Sequence, residues 1–332
     1  MFVRTKRISR VVLGLCIAQL VFQGATIPAW GENGRQSQVQ PHSQPVAQKI
    51  VTLSVTVLGK DGLPVRDLRQ EDFRLFENGK EQGITTFDFG TQQPLVLGLL
   101  MQWSGQRHNT LPYGEIDPIS HFFRNLMTKD DLSFAAMFAA TTRTIVDFTN
   151  DPSEIDRPLL GATSVPYYGP TALFDSVTWA CEEKLSTRPG RRVLLLVSDG
   201  RDNESKKSMG DAIESALRTR ITTYVVSLAR ANPLLTNPPG RGEGIVNTHL
   251  GKYIHVTKEL AEQTGGEAII VRSQEDLVSA FSKIGQQLRS QYTIGYPSAN
   301  EARGRSFQAV KVEVRRKGLR VLAPKGYYAS EH

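Results

Sequence analysis

The sequence predicts an α/β fold: a doubly wound, mostly parallel sheet with a small β accessory unit built from strands near both ends of the chain. Three observations predict it. Near-continuous apolar runs at Pro94–Met101, Leu132–Ala140, Arg192–Val197, Thr222–Leu228 and Ala268–Val271 read as strands buried on both faces. Helical patterns alternate with them at Ile116–Met127, Ala172–Leu185, Ser208–Arg218, Thr257–Gln263 and Glu275–Leu288, and that alternation implies parallel strands joined by right-handed crossovers. Outside this block the apolar spacing drops to period two, the pattern of strands with one buried face.

The chain opens differently. Arg4, Lys6, Arg7 and Arg10 precede an apolar run from Val11 to Phe22, and no acidic residue comes before Glu32. This pattern predicts a signal peptide over residues 1–29, with cut points after Ala25, Ala29 or Gly31. The run falls short of the roughly 20 apolar residues of a comfortable membrane span. The alternative is an uncleaved anchor, which is the one route by which the chain would hold a membrane. The expected location is therefore exported, periplasmic or extracellular, with membrane anchoring tied to an uncleaved leader.

That leader also explains the charge. The 332 residues carry 40 Lys and Arg against 33 Asp and Glu, a formal +7. Removing the four leading basic residues leaves 36 against 33, or +3. With most of the excess gone and export implied, no nucleic-acid partner is expected. The clusters Arg315-Arg316-Lys317 and Lys206-Lys207 read as a solvated turn and a helix start. Cleavage also leaves Cys181 as the single cysteine, which precludes an intrachain disulfide. Its spacing with Leu173, Val177, Ala180 and Leu185 puts it on a buried helical face, as a small core hydrophobe.

Residues 30–49 are rich in Gln, Ser, Pro and Gly and predict a disordered linker. Residues 50–92 supply the first accessory strands: Val51, Leu53, Val55 and Val57 alternate with Thr52, Ser54 and Thr56, and Glu77-Asn78-Gly79-Lys80 suggests a hairpin turn. Residues 93–290 hold the α/β block, and residues 291–329 return to strands at Gln291–Tyr296, Phe307–Val314 and Leu319–Leu322. The segment Arg230–Tyr253, with its Asn-Pro and Pro-Gly steps, reads as a long irregular loop: a contact surface or a tolerated insertion.

Open α/β sheets place ligands beyond the carboxyl ends of their strands. Three segments lie there: Gln102-Trp103-Ser104-Gly105-Gln106, Gly169-Pro170-Thr171-Ala172-Leu173-Phe174-Asp175, and Ser198-Asp199-Gly200-Arg201-Asp202. Their Ser, Thr and Asp oxygens are of the type that hard divalent cations favour.

These segments carry a resemblance to the von Willebrand factor type A domain, and more narrowly to the related domain of secreted acidobacterial proteins. Its other carriers are Val65-Arg66-Asp67-Leu68, Glu71-Asp72-Phe73, Glu77-Asn78-Gly79, Leu260–Gly266 and Lys325-Gly326-Tyr327-Tyr328, over about residues 50–329. The resemblance implies a metal-ion-dependent adhesion site with a D-x-S-x-S motif, a Thr and an Asp. Ser104, Thr171 and Asp199 keep that pattern; Gln102 and Gln106 stand in place of the first Asp and second Ser. One carboxylate remains of two, and Mg²⁺ sheds its waters reluctantly without anionic help. The expectation is a degenerate site in which these side chains organise the loops without an ion; the alternative is that Mg²⁺ or Mn²⁺ still binds, with Asp202, also a candidate partner contact, near enough in sequence to compensate.

The implied function is an exported, non-catalytic protein-interaction or adhesion module with a protein ligand. The alternatives are an envelope-associated structural protein without metal, or a hydrolase using Ser104 with His108 and Asp199. The hydrolase is disfavoured because no nucleophile elbow, Walker loop or H-E-x-x-H motif is present. Trp103, beside the site, reads either as a contact for a partner or as a side chain packed under the adjoining helix.

Overall fold

A computed structural model describes residues 50–90, 93–103, 116–163, 169–229, 243–298 and 306–329. The expected signal peptide and linker, and Ser104, Gln106 and His108, lie outside the described residues.

The central sheet has six strands: β5 (Leu95–Gln102), β6 (Leu132–Phe138), β7 (Thr142–Thr149), β8 (Arg191–Ser198), β9 (Thr222–Ser227) and β10 (Ala268–Ile270). Their order is β10-β9-β8-β5-β6-β7, parallel throughout except for β7, which runs antiparallel to β6. The mostly parallel α/β class follows directly. From β5 the chain steps out to β6 and β7, then returns to β8 on the other side of β5. This reversal falls between β5 and β8, and α/β sheets take ligands beyond the carboxyl ends of the strands at such a point.

Every residue of β5 is buried, and its side chains divide by period two. Leu95, Leu97, Leu99 and Met101 join a cluster with helices α1 (Ile116–Leu126) and α2 (Ser153–Thr163), through Phe123 and Ile155 among others. Val96 and Leu100 face the opposite cluster with α3 (Leu173–Trp179) and α4 (Met209–Arg218), through Val177 and Ala216. Helix α5 (Glu243–Gln263) adds Leu260 to this second layer, and α6 (Gln274–Leu288) adds Phe281 to the first. Gly98 admits no side chain: a Cβ there would stand 2.5 Å from the Phe134 ring.

The accessory unit is larger than the expected small sheet. Strands β1 (Ile50–Leu58), β4 (Thr86–Phe89), β11 (Tyr292–Pro297) and β13 (Arg320–Leu322) make one four-stranded sheet. A second holds β2 (Phe73–Glu77), β3 (Lys80–Gln82), β12 (Phe307–Val314) and β14 (Gly326–Tyr328). They share one core, in which Val55, Leu75, Tyr292 and Val312 meet. Glu77 is buried inside it and accepts hydrogen bonds from the hydroxyls of Tyr296 (2.9 Å), Tyr327 (2.6 Å) and Ser298 (3.0 Å). A buried carboxylate costs several kcal/mol unless so satisfied, and here it ties the two sheets together. Burial first, and then the neighbouring Tyr327 and Glu77, raise the Tyr296 phenol well above its ordinary range.

Three sequence expectations need correction. Strand β7 and helix α2 were not anticipated, because β7 is a half-exposed edge strand with Arg143 and Asp147 in its apolar pattern, and Pro158 interrupts the α2 pattern. The long irregular loop over Arg230–Tyr253 does not hold as drawn: its second half is helical from Glu243, and residues 230–242 lie outside the described residues. The helix expected over Ala172–Leu185 ends its α-helical geometry at Trp179 and continues as a π-turn, Ala180–Lys184. Cys181 on that turn is fully buried, and burial pushes its thiol up to about 12. Among the described residues, no helix is long and apolar enough to cross a membrane.

Candidate functional site

Gln102 ends β5 and is wholly buried. Its amide oxygen accepts from the Ser198 hydroxyl (2.6 Å) and from the Asp199 backbone N–H (3.0 Å), so it pins the end of β8 to the end of β5. Ser198 Oγ accepts in turn from the Gly200 N–H (3.0 Å). Gly200 has φ +81°, and a Cβ there would stand 2.4 Å from the Tyr253 carbonyl oxygen on α5. Only glycine takes both the left-handed backbone and that approach.

Asp199 is wholly buried, and its carboxylate turns to Arg201. Oδ1 accepts from the Arg201 N–H (3.0 Å), and Oδ2 from Arg201 Nε (3.0 Å), with Nη2 at 2.9 Å. The guanidinium is itself only 14% exposed. Both side-chain contacts converge on Oδ2, so the pair is a charge-assisted hydrogen bond from Nε with Nη2 close by as an ion-pair contact. Sequence reasoning missed Arg201; the signal was its place two residues after Asp199, the span at which a side chain reaches back over its own turn.

Thr171 is buried on the neighbouring loop, held by its backbone. Its N–H donates to Asn203 Oδ1 (2.6 Å), and its carbonyl accepts from the Asn203 and Glu204 N–H groups. Asp202 does not face outward as a free carboxylate. Its Oδ1 accepts from the Leu173 N–H (2.8 Å) and the Ser205 hydroxyl (2.5 Å) at the start of α3. Ser205 Oγ accepts from the Phe174 and Asp175 N–H groups, and Asp175 in return accepts from the N–H groups of Lys206 (3.1 Å) and Lys207 (2.8 Å). The segment after β8 thus acts as a cap sewn onto a helix elsewhere in the chain.

Trp103 is half-buried and packs against the cluster that contains α1 and α6; its backbone N–H donates to the Phe138 carbonyl (2.7 Å). The structure therefore brings Gln102, Ser198, Asp199 and Arg201 into one hydrogen-bonded unit, with Thr171, Asn203, Asp202 and Ser205 in an adjoining one. The basic cluster far from this face is also engaged: Arg316 pairs with Asp67 (3.0 Å) and Arg315 Nε donates to the Glu71 carbonyl (3.1 Å).

A divalent cation of the type the resemblance implies needs anionic oxygen donors turned to one point. Of the described oxygens at the ends of β5 and β8, the Asp199 carboxylate is paired with the Arg201 guanidinium and the Gln102 amide oxygen accepts two hydrogen bonds. Among the described residues, no three His, Cys, Asp or Glu side chains come together in a metal-holding group.

No protein-family model matches the chain, and no curated protein matches it. Solved structures similar to it include a von Willebrand factor type A protein from Catenulispora acidiphila, 11% identical, covering 85% of this chain and 74% of that one with a TM-score of 0.45. BatB from Bacteroides thetaiotaomicron is 15% identical, over 58% of this chain and 99% of that one, with a TM-score of 0.43. The PilB minor pilin of Streptococcus sanguinis is 12% identical, over 61% of this chain and 63% of that one, with a TM-score of 0.41.

Proposed function

We propose that this chain is an exported, non-catalytic protein-interaction module whose loop face, beyond the carboxyl ends of β5 and β8, takes a protein ligand without a divalent cation. The observation that carries the reading is the Asp199 carboxylate, buried and held by Arg201 at the switch point of the sheet. The crevice that would place a metal between chain and ligand has its anion neutralised internally. The described segments beside it, 169–175 and 198–208, are held by hydrogen bonds between protein groups, which suits a preorganised recognition face. Trp103, half-buried after β5 and packed on one side against the core, is the aromatic residue beside that face whose remaining surface a ligand would meet.

The experiment is calorimetric titration of Mg²⁺ and Mn²⁺ into the chain, followed by selection of displayed peptides on the immobilised chain in EDTA. The expected result is no stoichiometric ion uptake, and binders whose affinity falls at least tenfold in Trp103→Ala and is unchanged by Mg²⁺. Tight stoichiometric uptake lost in Asp199→Ala overturns the reading, as do binders that require the ion.

A further inference from the structure

We infer that Arg201 is the resident cation of this site: its guanidinium performs the charge-neutralising and loop-clamping task of a divalent ion and excludes such an ion from Asp199. The inference deepens the metal-independent reading above and rests on it. The geometry is specific. Asp199 has no solvent exposure, so its charge requires a countercharge within the protein, and the pair Nε and Nη2 of Arg201 supplies it at 3.0 and 2.9 Å. The Arg201 backbone N–H takes the other carboxylate oxygen, so one residue spans both. The clamp closes against a fixed wall. Gln102 holds the Asp199 N–H from below, and Gly200 sets the tight turn that lets residue 201 fold back over residue 199.

An exchange of two charges follows from this arrangement. Gln102 at the end of β5 supplies an amide oxygen where a second carboxylate would add negative charge. Among the described residues the Arg201 guanidinium faces the Asp199 carboxylate; with an aspartate at position 102 and Arg201 gone, two carboxylates stand at the ends of β5 and β8, an arrangement that favours a divalent cation. Gln102 and Arg201 therefore act on the same carboxylate, the one through the Asp199 backbone N–H and the other through its side chain.

The test uses Gln102→Asp, Arg201→Met, their double variant and the unaltered chain, with Mn²⁺ followed by electron paramagnetic resonance and thermal unfolding in Mn²⁺ or EDTA. Uptake of one Mn²⁺ by the double variant, at least tenfold tighter than by Gln102→Asp alone, is the expected result. Its unfolding temperature should rise by about 5 °C when Mn²⁺ is a hundredfold above its Kd. Gln102→Asp binding the ion as tightly as the double variant overturns the inference, because Arg201 then excludes nothing. No uptake by a folded double variant overturns it too. Should the double variant fail to fold in EDTA, recovery on refolding in Mn²⁺ supports the inference and failure in both overturns it. These outcomes concern only the variants; stoichiometric uptake by the unaltered chain is a separate result that sinks the metal-independent reading itself.

Discussion

Gly200 shows how far a single residue constrains the site. Its φ of +81° and the 2.4 Å approach to the Tyr253 carbonyl leave no room for a β-carbon. Gly200→Ala should therefore cost at least about 2 kcal/mol, the sum of a left-handed backbone and a steric clash. Urea unfolding of the variant checks this, and an unchanged midpoint would mean that α5 yields at Tyr253. At the same scale, the candidate site was only partly legible in the sequence. Asp199 and Gln102 were visible from their places after apolar runs, because strand ends are marked by a change in hydropathy. Arg201 was not, because a hydrogen bond from a side chain two residues away depends on the turn conformation set by Gly200.

Among the elements, helix α3 depends on a segment 30 residues downstream. The first turn of a helix leaves backbone N–H groups without intrahelical partners, and in α3 these are met by Asp202 and Ser205. Asp202→Ala should cost about 1–2 kcal/mol, as loss of a capping side chain does, and Asp202→Asn, which keeps an acceptor oxygen, should restore roughly half of it. Denaturant midpoints of the two variants decide the matter: equal losses would assign the effect to charge and not to capping. This role for Asp202 was hidden because capping is usually local, supplied by the residue just before a helix. Ala172 stands there and has no side-chain acceptor. The helix α5, likewise, was under-read because Gly244 and Gly251 dilute its apolar pattern, and contact with β9 compensates for weak helix preference.

At the scale of the molecule, the described sheet and accessory sandwich are joined at the amino ends of the central strands, opposite the site. Asp131 is buried there and accepts from the N–H groups of Leu95 (2.7 Å) and Thr128 (2.8 Å) and from Arg289, at the end of α6. Arg191, at the start of β8, donates to Gln291, whose amide donates to Thr56 (3.2 Å) of the accessory sandwich. Burial raises the Asp131 carboxyl, but Arg289 and the backbone donors outweigh it and hold it below its ordinary value. A carboxyl depressed in the folded state stabilises above the unfolded pKa, and that contribution is lost as pH falls through the folded one. Asp131→Asn should accordingly lower stability near neutral pH and flatten the acid limb between about pH 5 and pH 2. Unfolding midpoints across that range test it; parallel limbs in the two proteins would remove Asp131 from the acid response.

The sequence by itself determined the mostly parallel sheet, where its buried strands lie along the chain, and the glutamine that ends the first of them. Those features are written in local hydropathy and in residue identity. Only the tertiary structure decided that the accessory strands form a two-sheet sandwich locked by Glu77, that Asp202 caps a distant helix, and that Arg201 closes over Asp199. Each of these depends on groups brought together by the topology, and the energy of a buried polar contact is set by what surrounds it.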